Sequence, residues 1–356
     1  MHEQLKKFFK NKTILITGGT GSWGSELVRQ LIENYSPKEI RIYSRGEHKQ
    51  VEMRRKYASE KNIRYIIGDV RDKRSLGIAM FGVDIVFNMA ALKHVPVCEE
   101  NVWEAVQTNI HGVQNIIEAA MACGVQVVVQ VSTDKAVDPL NLYGYTKGVA
   151  ERLITSANSS PSKPTHTKFV CVRGGNVLNT TGSVVPLFKY QIETFNEITL
   201  TSPEMSRYFM RVEEAIGLVL KATLETVGGE VFVMKMPGAQ IIELAEVMIE
   251  QLGDKKTKIK EIGVRAGEKM YEVLVSRNEA PRTVEDGDYH IILPDVLDTY
   301  FHTKKYSKFK KATMEEYNSR NAFQLDKKGI LSLLRKDGWF KEKDIDTFSD
   351  IFSPLK

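Results

Sequence analysis

TGGTGSWG, residues 17–24, decides how the rest of the chain is to be read. An apolar run, KTILITG (12–18), leads into it, and a helical pattern, SELVRQLIEN (25–34), leaves it. Gly18, Gly21 and Gly24 stand at GxxGxxG spacing. Glycine permits a tight turn and lets the backbone approach a diphosphate. The helix behind it offers free N–H groups and the positive end of its dipole. Alone, a glycine triplet is a weak signal. Between a strand and a helix it reads as a dinucleotide turn, to which Thr20, Ser22 and Trp23 also belong.

Working outward, five more apolar runs follow: EIRIYSR (39–45), IRYIIGD (63–69), VDIVFNMAA (83–91), VQVVVQVST (125–133) and KFVCVRG (168–174). Several lack alternation, as strands buried on both faces do. Helical patterns lie between them. Leu27, Val28, Leu31 and Ile32 share one stripe, and a second helix stops at Gly124. Strand–helix alternation predicts an α/β fold, a Rossmann-type doubly wound parallel sheet with a smaller substrate-binding region. We expect residues 1–175 to form the nucleotide domain, with 207–235 returning to it. Residues 176–206 and 236–300 are expected to form the substrate region, and 301–356 an appendage.

The 356 residues suffice for one large core with a smaller partner. No apolar run reaches the roughly 18 residues of a membrane span, and the stretch MHEQLKKFFKNK lacks the apolar centre of a signal peptide. Three scattered cysteines, Cys98, Cys123 and Cys171, point to neither a disulfide framework nor a metal site. The expected setting is cytoplasmic, with no metal and no membrane partner. The net charge of +5 suits a phosphate-bearing ligand. HTKKYSKFKK (302–311) reads as a solvated basic face, so no nucleic-acid partner is expected.

The second strand selects the cofactor. NAD-binding folds usually end it with an acid on the ribose 2′-hydroxyl. Here it ends Tyr43-Ser44-Arg45-Gly46, with Lys49 close behind. Ser44, Arg45 and Lys49 suit a 2′-phosphate, so NADP is expected. Asp69 and Val70 follow the third strand, where an adenine edge is read.

STDKAVDPLNLYGYTK (132–147) carries the chemistry. Tyr143 and Lys147 are four apart and share a helix face. An ammonium near a phenol lowers the phenol pKa, and the phenolate can then accept a hydroxyl proton. Tyr145 lacks such a partner, since residue 149 is Val.

Together these residues resemble the extended short-chain dehydrogenase/reductase superfamily. TGGTGSWG, YSRGEHKQ, GDVRD, AALKHVPVCE, TDKAVDPLNLYGYTK, GSVVPLF and RAGEKMYE, in that order, are similar to the C5-inverting UDP-N-acetylglucosamine 4,6-dehydratases of pseudaminic-acid-type pathways. EYNSRNAFQLD (316–326) is similar to an ending of related capsular-polysaccharide enzymes. The resemblance implies a UDP-amino-sugar substrate and a homo-oligomer, dimer or hexamer. It adds Thr133, Asp134 and Lys135 to the active site. Asp134, if protonated, is the acid for the departing 6-hydroxyl, and Lys135, if its pKa is depressed, the base at C5. It places Ala90, Ala91 and Lys93 near the cofactor. Lys93, His94, Asn176, Ser183, Val184, Arg207, Arg265 and Glu268 fall near the nucleotide sugar.

Four positions depart from the pattern: Gly174 stands where an aromatic is usual, Thr180-Thr181-Gly182 lacks an arginine, Glu204 replaces an arginine, and Gly46 replaces an acid. The losses at 180–182 and 204 remove positive charge near the expected substrate. They leave open a relative that reoxidises and epimerises a 5,6-unsaturated UDP-sugar. A UDP-sugar 4-epimerase needs only the Tyr-Lys pair. A non-catalytic NADP sensor would need neither that pair nor Asp134 and Lys135.

Overall fold

The computed structural model describes residues 1–159, 166–178, 183–254, 256–295 and 304–340. The departure at Thr180–Gly182 lies outside them, as do 296–303 and 341–356 of the expected substrate region and appendage.

Six strands arise where the apolar runs fall: β1 Thr13–Thr17, β2 Glu39–Ser44, β3 Ile63–Ile67, β4 Ile85–Asn88, β5 Val127–Thr133 and β6 Lys168–Gly174. They pair in parallel in the order 3-2-1-4-5-6. The order reverses between β1 and β4, so a crevice opens beyond their C-terminal ends. Every residue of β1 and β4 is buried, which explains their unbroken apolarity. On one face Ile14, Ile16, Phe87 and Val129 pack with Leu27 and Leu31 of helix Ser22–Asn34 and with Ile216 and Val219 of helix Val212–Glu225. On the other, Leu15, Val86 and Val128 pack with Leu76, Ile116 and Ile154 of helices Lys73–Met80, Gly112–Cys123 and Leu142–Ser156. Each such aliphatic chain contributes about 1.5–3 kcal/mol on burial.

Beyond β6 the sheet continues with Val231–Met234 in parallel, then Tyr289–Ile292, Thr283–Asp286 and Lys310–Lys311 antiparallel. This corrects two expectations. Residues 283–292, expected in the substrate region, lengthen the main sheet, where Thr283, Val284, Ile291 and Ile292 are all buried. Nor is the stretch after 301 one appendage among the described residues. Lys310–Lys311 closes the sheet edge, and Tyr317–Asn318 pairs with Val273–Val275. Helix Lys327–Lys336 seals a smaller core with helices Val184–Phe195 and Ile241–Leu252, through Phe188, Ile192, Leu244, Met248, Ile330 and Leu334.

That smaller core reaches the segment after β5 through two side-chain bonds. Asn141 Nδ2 donates to Gly267 O at 2.9 Å, and Lys269 Nζ donates to Val137 O. No helix among the described residues is long and apolar enough to cross a membrane.

Candidate active site

The glycine turn is built by contact as much as by conformation. Gly18 has φ +67°, and a Cβ there would lie 2.8 Å from Ala90 N, so only glycine lets β1 and the end of β4 meet. Gly21 caps helix Ser22–Asn34 through its backbone alone, with no side chain on the first N–H groups. A bare N-terminus of a 13-residue helix is suited to a diphosphate. Thr20 Oγ1 donates to Ser44 Oγ at 3.2 Å, joining this turn to the end of β2. Ala90 and Ala91 border the same turn, half-buried, while Lys93 and His94 are exposed beyond them.

At the end of β2, Arg45 and Lys49 are exposed. Gln50, which sequence reading missed, is buried and donates to Ser44 Oγ at 3.0 Å and to Ile66 O at 2.8 Å. It fixes Ser44 in place. Gly46 is the backbone cap of helix Glu47–Lys56, whose N-terminus also lacks a side-chain cap. Asp69 accepts from Arg71 Nη2 at 2.6 Å, and Arg45 lies 3.9 Å away. Burial raises the Asp69 pKa, but the Arg71 bonds outweigh it and the net shift is downward. Val70 is buried.

Asn141 caps the helix that carries Tyr143 and Lys147, its Oδ1 accepting from Gly144 N at 2.9 Å. A Cβ at Gly144 would sit 2.3 Å from Lys135 O, so the glycine between the two tyrosines admits the Thr133–Lys135 turn against the helix. Tyr143 is buried, whereas Tyr145 is 55% exposed. Burial pushes the Tyr143 phenol up to about 12, against the opposing Lys135 charge and a Thr133 hydrogen bond. Lys147, expected as the activating cation, is buried on the same helix. Its Nζ donates to Val131 O at 2.6 Å, and burial lowers its pKa to about 8. In this arrangement Lys135 is the cation that acts on Tyr143.

Lys135 Nζ lies 3.0 Å from Asp134 Oδ1 and 3.0 Å from Glu272 Oε1. Thr133 Oγ1 donates to Asp134 Oδ1 at 2.9 Å. Burial lowers the Lys135 pKa, but the two carboxylates outweigh it and hold it above the ordinary value. The depressed pKa expected of Lys135 is therefore not what these neighbours produce. Burial raises the Asp134 pKa. Glu272 was missed, although RAGEKMYE was quoted. Its one available signal is a lone acid placed directly before the buried strand Val273–Val275.

Arg207, expected at a pyrophosphate, is buried. Its Nη1 donates to Ser206 O at 2.8 Å, and its Nε lies 3.6 Å from Glu272. Arg265 is exposed, and Glu268 folds back toward Arg265 N at 3.4 Å. Asn176 Oδ1 and Ser183 Oγ are buried atoms without a hydrogen-bond partner among the described residues. Ser183 heads helix Val184–Phe195. Asn109 was also missed. It sits in a π-helical turn, Gln107–His111, and binds both backbone groups of Leu92 at 2.9 Å and Thr146 Oγ1 at 3.0 Å. It thereby ties the loop after β4 to the Tyr143 helix; such turns recur at functional sites.

The aromatic lost at Gly174 is accounted for. A Cβ there would lie 2.8 Å from the Trp23 ring, so the tryptophan of the glycine turn occupies the space from the other side. Glu204 is exposed in the turn before Ser206–Tyr208.

Residues 14–294 match the profile of the polysaccharide biosynthesis protein family. An uncharacterized membrane protein of Methanocaldococcus jannaschii is 45% identical, over 94% of this chain and 99% of its own. A UDP-N-acetylglucosamine 4,6-dehydratase (inverting) of Campylobacter jejuni is 44% identical, over 81% and 84%. A UDP-glucose 4-epimerase of Rickettsia canadensis is 39% identical, over 94% and 98%. The X-ray structure of Pen from Bacillus thuringiensis, 41% identical, superposes with a TM-score of 0.85 over 92% of this chain and 99% of that one. Glycine turn, parallel sheet and Tyr143 helix thus occur in a chain that belongs to the polysaccharide biosynthesis protein family.

Proposed function

We propose that the protein is an NADP-dependent UDP-N-acetylglucosamine 4,6-dehydratase that inverts C5. The observation that carries this reading is the cluster beside Tyr143 in which buried Asp134 and Glu272 flank half-buried Lys135. A 4-epimerase needs the tyrosine and its cation but no acid for a leaving group. Here a carboxyl with a raised pKa stands ready beside the tyrosine, as elimination of a 6-hydroxyl requires.

Gly18, Thr20, Gly21, Ser22, Trp23, Gly24, Ala90, Ala91, Lys93, Asp69, Val70, Tyr143 and Lys147 would hold the cofactor. Gly18's close approach to Ala90 and the uncapped helix end fit its diphosphate. When bound, a nicotinamide supplies a hydride acceptor at sugar C4 and a donor at C6. Tyr143 takes the 4-hydroxyl proton, and Thr133 orients the phenol. Lys135 takes the C5 proton as an amine, a form that arises when it passes its own proton to Asp134. Asp134 protonates the departing oxygen. His94, Asn176, Ser183, Val184, Arg207, Arg265 and Glu268 would meet the UDP-sugar.

The test is incubation with UDP-N-acetylglucosamine in D₂O, followed by NMR. A 4-keto-6-deoxy product with deuterium at C5 is expected. A C4 epimer without deuterium at C5 makes the protein an epimerase. Turnover of only a 5,6-unsaturated UDP-sugar makes it the pathway relative.

The choice of NADP rests on Ser44, Arg45 and Lys49, and on the bare helix end at Gly46. Hydrogen bonds to a charged group contribute about 1.5–3 kcal/mol, so Arg45→Glu is expected to raise KM for NADP about tenfold or more. KM for NAD should hardly move; an equal rise for both would remove Arg45 from the 2′-phosphate.

A homo-oligomer and a cytoplasmic setting complete the reading. Val97, Val102, Trp103, Tyr145 and Val149 are exposed on three mutually packed helices, which supports association through that face.

A further inference from the structure

Two carboxylates flank one ammonium at equal distance, yet their surroundings differ. Lys135 Nζ is 3.0 Å from Asp134 Oδ1 and 3.0 Å from Glu272 Oε1. Glu272 has a second cation, Arg207 Nε at 3.6 Å, and Lys269 also acts on it. Lys269 acts on Asp134 as well, but among the described residues Lys135 is the one cation at ion-pair distance from Asp134, whose other close partner is the Thr133 hydroxyl. Both acids are buried, at 1% and 2% exposure. Each keeps one oxygen, Asp134 Oδ2 and Glu272 Oε2, buried without a hydrogen-bond partner among the described residues. The remaining ionisable groups facing the cluster are Tyr143, Tyr208 and, through Lys269, Asp138.

We propose that Glu272 is a positioning residue: by carrying the negative charge opposite Lys135 and Arg207, it leaves Asp134 able to hold the proton that the elimination consumes. The inference rests on the dehydratase reading for its chemistry but not for its electrostatics. Two neighbouring carboxyls whose environments differ take up different protonation states, and that division assigns acid and counter-ion. The directions agree: Asp134 is raised by burial. Glu272 is raised by burial too, but Lys135 and Arg207 bring it below its ordinary value. Proton bookkeeping then closes. Asp134 takes a proton from Lys135 at 3.0 Å, the resulting amine takes the C5 proton, and Asp134 gives its proton to the 6-oxygen as the C6–O bond breaks and water leaves. Glu272 faces Lys135 whenever Lys135 is charged, so the half-buried ammonium is never left unpaired.

In Glu272→Gln, Asp134 becomes the one anion left beside Lys135 and ionises. Two measurements separate this proposal from the dehydratase reading. The first is a pH titration of the carboxyl ¹³C signals in protein without substrate, with Asp134 assigned by loss of its signal in Asp134→Asn. Wild-type Asp134 should titrate above the ordinary Asp value of about 3.9, and Glu272→Gln should move it down by about one pH unit or more. The second is steady-state dehydration of UDP-N-acetylglucosamine. Glu272→Gln should lower kcat about a hundredfold with KM nearly unchanged, and Glu272→Asp should recover part of it and restore the titration.

An Asp134 titration that does not move in Glu272→Gln overturns the proposal. So does a Glu272→Gln enzyme with wild-type kcat. If wild-type protein leaves UDP-N-acetylglucosamine untouched, the dehydratase reading fails, and the titration still decides the role of Glu272.

Discussion

Tyr143→Phe is expected to lower kcat for UDP-N-acetylglucosamine by about 10²–10⁴-fold, with KM nearly unchanged. The substitution removes one oxygen from a buried ring and leaves the packing with Cys98, Ala105 and Leu142 intact. A fall of that size is therefore chemical rather than structural. The site makes the phenol hard to ionise: burial lifts it to about 12, and only the Lys135 charge and the Thr133 bond oppose this. Lys147 Nζ is bonded to Val131 O. Hence Lys135→Met should share part of the Tyr143 defect, beyond any loss in elimination. Lys147→Met should act through weakened cofactor binding as well as through the loop that ends β5. The measurement is steady-state kinetics by NMR, with far-UV circular dichroism as the check on folding. A Tyr143→Phe enzyme within about threefold of wild type, far short of a general-base loss, would end the mechanism proposed here.

Much of this arrangement was legible in the sequence because local rules governed it. Buried parallel strands leave unbroken apolar runs, so β1 to β6 appear where KTILITG and its successors stand. Four-residue spacing set Tyr143 apart from Tyr145, and burial separates the two in the same way. The illegible parts were long-range. Glu272 lies 137 positions from Lys135, and no periodicity marks a contact made by chain return. The sign of the Lys135 shift depends on that contact. A single ammonium beside Asp134 invites the thought of burial alone, and the second carboxylate reverses it. Likewise Tyr289–Ile292 is four residues of ordinary strand, and only pairing with Val231–Met234 puts it on the main sheet. The charged arginine in KFVCVRG gave no hint of its partners either.

Those partners make the second large effect. Arg173→Met is expected to destabilise the fold by about 3–5 kcal/mol, because it strands two buried carboxylates. Arg173 Nη2 donates to Glu151 Oε2 at 2.6 Å and to Glu279 Oε1 at 2.7 Å, while Nη1 donates to Glu279 Oε2 and Leu274 O, each at 2.9 Å. Arg173, Glu151 and Glu279 are 4%, 5% and 8% exposed. The guanidinium thus joins β6, the Tyr143 helix and the turn before Thr283. Burial raises Glu279, but Arg173 and the Ser276 bonds outweigh it and bring its pKa from 4.5 to about 2. A carboxylate depressed in the folded state stabilises fully above its unfolded pKa. Its contribution, about 3 kcal/mol here, is lost as pH falls from about 4.5 toward about 2. Wild-type stability should therefore decline across that window more steeply than that of Arg173→Met. Denaturant unfolding at neutral pH and at pH 3 measures both differences. The triple variant Arg173→Met/Glu151→Gln/Glu279→Gln should regain part of the loss, since its buried charges go together. If Arg173→Met unfolds at the wild-type midpoint, the arginine does not hold the catalytic helix to the sheet.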